Sequence, residues 1–144
     1  MINKKYYIDS CIWLNLYKKE VDQKKGISYW KLAKDFIEKV EEQNERIIVS
    51  TIVLKELYFV LKDKFSRIQK FFKKSEYIEI IKTTYEDYAL ARKWEQEHKL
   101  LSFYDYLHVA IVQRLNITLI TRDEELIEFA ENHVEVFKPE SLIS

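Results

Sequence analysis

The sequence predicts a three-layer α/β fold, with a central, mainly parallel sheet flanked by helices. Two observations carry that expectation. Short apolar runs alternate along the chain with segments whose apolar residues recur at helical spacing, and strands alternating with helices pair in parallel with both sheet faces covered. The chain has 144 residues, 47% hydrophobic and 33% charged, and no Pro/Gly/Ser-rich linker divides it. That length and composition suit one globular domain over residues 1–144 with a sizeable core.

The elements follow in order. Residues 5–9 carry Tyr6-Tyr7-Ile8 and read as a buried first strand, followed by a helix over 11–19. Residues 21–28, with Gly26 and several lysines, read as a loop. Trp30, Ala33, Phe36, Ile37 and Val40 give helical spacing over 29–43. Residues 46–50 form a short strand, 51–63 a strongly apolar helix, 66–74 a further helix and 77–81 a strand. Helices over 84–98 and 103–115 precede a strand over 118–121, a helix over 123–132 and a last strand over 134–137. The aromatics Tyr6, Tyr7, Trp13, Trp30, Trp94 and Phe103 are assigned mostly to the core, and Cys11 with them.

Composition excludes several chemistries. Gly26 and Pro139 are the only glycine and proline, so no glycine-rich loop can cradle a phosphate. One cysteine permits neither an internal disulfide nor a cysteine-based zinc site. His98, His108 and His133 lack metal-ligand spacing, and His108 reads as structural. No secretory leader and no apolar run of membrane-spanning length is visible, so a cytoplasmic protein without membrane association is expected. Net charge is zero, yet residues 1–74 carry 17 Lys+Arg against 10 Asp+Glu, and the remainder carries the opposite excess. Lys62, Lys64, Arg67 and Lys70 begin the sharpest basic stretch, which suits a phosphate backbone or simply a solvated helix face.

Four acids stand at the edges of apolar elements: Asp9, Glu56, Asp105 and Asp123. Asp9 and Asp123 follow strands, where open α/β sheets bind ligands. Three of the four have capping alternatives. Asp9 suits a strand-to-helix cap, Ser102-x-x-Asp105 a capping motif, and Thr121-x-x-Glu124 a capping box that makes Asp123 a first-turn acid. Glu56 lies beyond any capping turn, and its helical neighbours Ile52, Phe59 and Val60 are apolar. A carboxylate buried there needs a cation, a metal or a donor network. Clustered carboxylates without Cys or His favour a hard ion, Mg²⁺ or Mn²⁺, and Ser10, Ser102 and Thr121 are placed to orient the ligands.

The segments Y-Y-I-D-S (residues 6–10), S-T-I-V-L-K-E-L (50–57), S-F-Y-D-Y-L-H-V-A (102–110) and L-I-T-R-D (119–123) resemble, in order and spacing, a PIN-domain ribonuclease. The resemblance is strongest to the small toxins of VapC-type toxin–antitoxin pairs. It implies a mixed α/β fold, divalent-metal-dependent RNA cleavage, frequent homodimers and an antitoxin that enters the active-site groove. The family acids fall on Asp9, Glu56, Asp105 and Asp123, and its hydroxyl residues on Ser10 and Thr121. Glu124-Glu125 stands where some members carry a further aspartate. The expected activity is therefore a metal-dependent endoribonuclease. The alternatives are a catalytically silent PIN-like module that binds RNA or protein, and a phosphatase using Asp9 as nucleophile, which wants an acid where Cys11 stands.

Overall fold

The computed structural model describes residues 4–143. The chain begins with β1 (Lys5–Ile8) and α1 (Ser10–Tyr17), then a small hairpin of β2 (Val21–Asp22) and β3 (Ile27–Ser28). Next come α2 (Tyr29–Glu42), β4 (Arg46–Ser50), α3 (Thr51–Leu61), α4 (Phe65–Lys74) and β5 (Ile78–Ile81). The last part holds α5 (Tyr85–His98), α6 (Phe103–Leu115), β6 (Thr118–Ile120), α7 (Glu124–Ala130) and β7 (Glu135–Phe137). The main sheet runs β5-β4-β1-β6-β7, and every neighbouring pair is parallel.

β1 lies in the middle of this sheet. A central parallel strand is covered on both faces, which is why it reads as an unbroken apolar run rather than an alternating one. Tyr6, Tyr7 and Ile8 are all buried, against Ile47, Ile48 and Val49 on one side and Leu119 and Ile120 on the other. α6 buries seven consecutive residues, Tyr106–Val112. Trp13, Phe36 and Phe72 complete the core. Trp30 stays at its edge, half-buried, with the Lys19 and Lys31 ammonium groups 5.9 and 5.5 Å from its ring centre.

Helices expected over 11–19 and 123–132 end two residues early, at Tyr17 and Ala130, and two further segments differ from expectation. Residues 21–28 form an antiparallel hairpin rather than a loop; two-residue strands are too short to display alternation. Gly26 takes φ +67° in its turn, a region that glycine enters at no steric cost. The apolar helix ends at Leu61, not at residue 63. Lys62 adopts φ 49°, and a 3₁₀ turn over Lys62–Lys64 leads into α4.

Two ion pairs tie segments distant in sequence. Asp87, 2% exposed, accepts a two-pronged contact from Arg114 Nε and Nη2 at 2.9 and 3.0 Å. The same carboxylate caps α5 by accepting Thr84 N–H at 2.9 Å. At the C-terminal side, the Arg122 guanidinium grips Glu140 at 2.7 and 2.9 Å and lies over Tyr29, 4.4 Å from its ring centre. Burial alone would raise the Glu140 carboxyl, but Arg122 and Lys138 outweigh it and hold the group below its usual range. A depressed carboxyl stabilises the fold above its unfolded pKa, near 4.3, and the contribution is lost as pH falls through the folded value. Glu140→Gln should therefore melt below wild type at pH 6, with the gap closing toward pH 3. A gap that persists in acid would show that the ion pair is not its source.

Candidate metal centre

β1, β4 and β6 are adjacent and parallel, so their carboxyl ends share one rim of the sheet. The pairing of Ile8 with Ile120 brings the next residues, Asp9 and Thr121, together. Thr121 Oγ1 donates to Asp9 Oδ2 at 2.9 Å. Asp9 also caps α1, its Oδ1 accepting the Ser10 N–H at 2.8 Å, and the Cys11 thiol lies 3.3 Å from Oδ2. Both carboxylate oxygens are thus held in place, and the residue is buried.

Glu56 reaches the same rim from the second turn of α3. Its Oε1 meets His108 Nε2 at 2.7 Å, and that nitrogen lies 3.7 Å from Asp9 Oδ1. The apolar surround expected from the sequence is only partly present. Ile52 is buried, but Phe59 and Val60 are 55% and 48% exposed, because α3 buries the stripe Ile52, Val53, Leu57 and Leu61. Glu56 sits at the edge of that stripe, half-buried, and its partner is a histidine.

His108 is fully buried and its Nδ1 lies 2.5 Å from the Tyr7 hydroxyl. His108 stands between the carboxylates, a place its apolar sequence neighbours do not announce. The available signal was spacing: Asp105 and His108 are three residues apart on α6, hence on one face. Burial works against a charged ring there. The hydrogen bond with Glu56 and the charges of Asp9, Glu56 and Asp105 outweigh it and hold the His108 pKa above its usual value.

Asp105 stands in the expected capping box at the start of α6. Its Oδ2 accepts the Ser102 N–H at 3.3 Å, and its own N–H donates to Ser102 Oγ at 3.2 Å. Burial raises its carboxyl pKa; bonding to Ser102 opposes the rise, and the Asp9 charge adds to it. Asp105 therefore feels the Asp9 charge without touching that residue.

Asp123 is exposed and is itself the N-cap of α7. It accepts from Glu125 and Leu126 N–H at 3.0 and 3.3 Å, so the expected Thr121-x-x-Glu124 box does not form. Thr121 Oγ1 instead accepts the Asp123 N–H at 3.2 Å and links it to Asp9.

The fold thus gathers Asp9, Glu56 and His108 into one cluster, with one ligand atom of each within 4.8 Å of the others; no other such group occurs among the described residues. Asp105 adjoins the cluster, while the Asp123 carboxylate is engaged at its helix start. Ser10 holds Asp9 mainly through its backbone, its hydroxyl lying 3.5 Å away. Ser102 meets Asp105 through capping bonds. Lys62, Lys64, Arg67 and Lys70 are exposed on the 3₁₀ turn and α4. Among the described residues, no lysine or arginine forms an ion pair with the four acids. Arg122, between Thr121 and Asp123, turns away to Glu140. Crowded carboxylate oxygens whose one basic neighbour is His108, with no lysine or arginine, are a donor set that fits a hard divalent ion.

Residues 6–132 match the family model of the PIN domain. No curated protein sequence matches the chain significantly. Several solved structures share the fold. VapBC-1 from nontypeable Haemophilus influenzae matches with a TM-score of 0.69 at 17% identity, over 94% of this chain and 98% of that one. VapBC2 from Rickettsia felis, bound to a DNA fragment from their promoter, matches at 0.64 and 22%, over 93% and 98%. Mycobacterium tuberculosis VapC20, a Sarcin-Ricin loop cleaving toxin, matches at 0.65 and 19%, over 91% and 98%. The family match takes in every strand of the sheet except β7, together with the rim where Asp9, Glu56 and Thr121 stand with Asp105 beside them. By this match, the chain belongs to the PIN domain family.

Proposed function

We propose that this PIN domain is an endoribonuclease dependent on Mg²⁺ or Mn²⁺ and acts as the toxin of a VapC-type pair. The observation that carries the reading is the convergence of Asp9 and Glu56, with Asp105 beside them, at the carboxyl rim without a lysine or arginine to neutralise them. The divalent ion would supply Lewis-acid polarisation of a phosphodiester and activation of water. Asp9, Glu56 and Asp105 would hold it, with Asp123 contributing from the start of α7. Thr121 keeps Asp9 oriented, and Ser10 and Ser102 fix the backbones that present Asp9 and Asp105.

Substrate would be held by basic groups outside the centre. Lys55 and Tyr104 are chain neighbours of Glu56 and Asp105, and the Lys55 ammonium lies 5.5 Å from the Tyr104 ring centre. This gives one cation for a phosphate and one ring for a base. Lys62, Lys64, Arg67 and Lys70 would extend the track. An apolar groove lined by Leu16, Tyr17, Leu61, Ile68 and Phe71, rimmed by Lys64 and Arg67, suits an amphipathic acidic segment of an antitoxin. A homodimer would complete the assembly.

Purified protein treated with EDTA should leave RNA intact and regain cleavage when Mn²⁺ or Mg²⁺ is added. Cleavage indifferent to EDTA would overturn the metal-dependent reading. Binding of RNA or of an antitoxin with no cleavage under any metal would favour the silent binding module.

A further inference from the structure

We propose that Ser50, Tyr7 and His108 form a buried relay that aims the His108 Nε2–H at Glu56 and so fixes one carboxylate of the metal centre. The role rests on the metal reading of the site. It makes His108 a positioning residue rather than a ligand.

The relay starts at the N-cap of α3 and ends on that helix. Ser50 caps that helix, its Oγ accepting the Val53 N–H at 3.2 Å. Ser50 Oγ lies 2.6 Å from Tyr7 Oη, Tyr7 Oη 2.5 Å from His108 Nδ1, and His108 Nε2 2.7 Å from Glu56 Oε1. Ser50, Tyr7 and His108 are each 0% exposed, so no bulk water can replace a missing partner. Hydrogen bonds in such surroundings are costly to leave unmade.

Counting protons fixes the direction. With a neutral ring, Ser50 donates to Tyr7 and Tyr7 donates to Nδ1, so each hydroxyl proton has one acceptor. Nε2 then carries the ring hydrogen and points it at Glu56. With a doubly protonated ring, Nδ1 donates to Tyr7 and Tyr7 to Ser50, yet Nε2 still carries a hydrogen. The remaining tautomer would set a bare nitrogen lone pair against an ionised carboxylate at 2.7 Å, two acceptors in mutual repulsion. In both admissible states the imidazole is a donor to Glu56, held by β1 and by the cap of the helix on which Glu56 rides. Oriented partners behind a ligand typically change metal affinity by about 10–100-fold when removed.

The test uses the whole purified chain without RNA, measuring Mn²⁺ affinity by the electron paramagnetic resonance of free Mn²⁺ and melting in EDTA. Tyr7→Phe keeps the ring and removes only the relay hydroxyl, two groups away from Glu56. His108→Gln can keep an amide N–H near the Nε2 position; His108→Leu cannot. His108→Leu should weaken Mn²⁺ binding by about 10–100-fold, and Tyr7→Phe by about 10-fold. His108→Gln should recover part of the loss. Mn²⁺ affinity unchanged in Tyr7→Phe and His108→Gln, with only melting lowered, would reduce the relay to packing and overturn it. A loss in His108→Gln as large as in His108→Leu would make His108 a ligand and also overturn it. Wild-type protein that binds no Mn²⁺ at millimolar concentration would instead overturn the metal reading on which the relay depends.

Discussion

Asp9→Asn is expected to abolish RNA cleavage and weaken Mn²⁺ binding while leaving the fold in place. The asparagine oxygen can still accept the Ser10 N–H at the start of α1, so the cap survives. The lost charge is the one that accepts from Thr121 at 2.9 Å and lies 3.7 Å from His108 Nε2. A metal that contributes several kcal/mol of transition-state stabilisation, lost with its ligand, corresponds to about a 10³-fold drop in rate. Removing one of the crowded acids also relieves Asp105, whose carboxyl is raised partly by the Asp9 charge. Metal-free Asp9→Asn should consequently melt within a few degrees of wild type. Single-turnover cleavage of labelled RNA, with circular dichroism of the same samples, decides the matter. Asp9→Asn and Asp105→Asn cleaving at the wild-type rate would sink the assignment of the centre.

The largest expected effect on stability lies away from the rim. Arg114→Ala would leave Asp87 buried at 2% exposure with its cap bond to Thr84 and no countercharge. Breaking one side of a buried pair costs about 3–5 kcal/mol, because the remaining charge is stranded rather than because the pair itself is so favourable. Arg114 is one-third exposed, which puts the expectation near the lower end, about 3 kcal/mol. For a chain of this size that is roughly a 10 °C fall in melting temperature. The double variant Asp87→Asn with Arg114→Leu removes both charges and should recover a good part of the loss. Equal melting of the single and double variants would mean that Arg114 acts through packing.

Most of the sheet was legible because its strands are buried on both faces and therefore read as plain apolar runs. Tyr6-Tyr7-Ile8 and Thr118-Leu119-Ile120 are the clearest cases. The acids were legible because each interrupts or ends such an element. Their partners were not. His108 is surrounded in sequence by Leu107, Val109 and Ala110, so its neighbours announced a core residue. Tyr7 looked like core as well, and it is. What linear order could not convey is that β1 and α6 set the Tyr7 hydroxyl against the ring nitrogen, a contact across 101 residues. Glu56 has the partner that its place inside an apolar helix demands, His108, but its surround is less apolar than the sequence suggests. Two of its three apolar neighbours face solvent. The short hairpin and the break at Lys62 were missed because both depend on single backbone conformations, φ +67° at Gly26 and φ 49° at Lys62, rather than on pattern.

The central position of β1 has a consequence in time. Asp9 is made well before the hydroxyl that orients it, which belongs to Thr121, 112 positions later. Non-local pairings of this kind form late, after the entropy of closing a long loop has been met. At about 5–20 residues per second, synthesis of the intervening segment takes roughly 6–20 s. During that interval the nascent chain carries the first acid of the rim but not the partners that gather around it. Whatever chemistry the rim performs becomes available only after Thr121 has been added, so the ribosome making the protein is spared it while the intervening segment is synthesised.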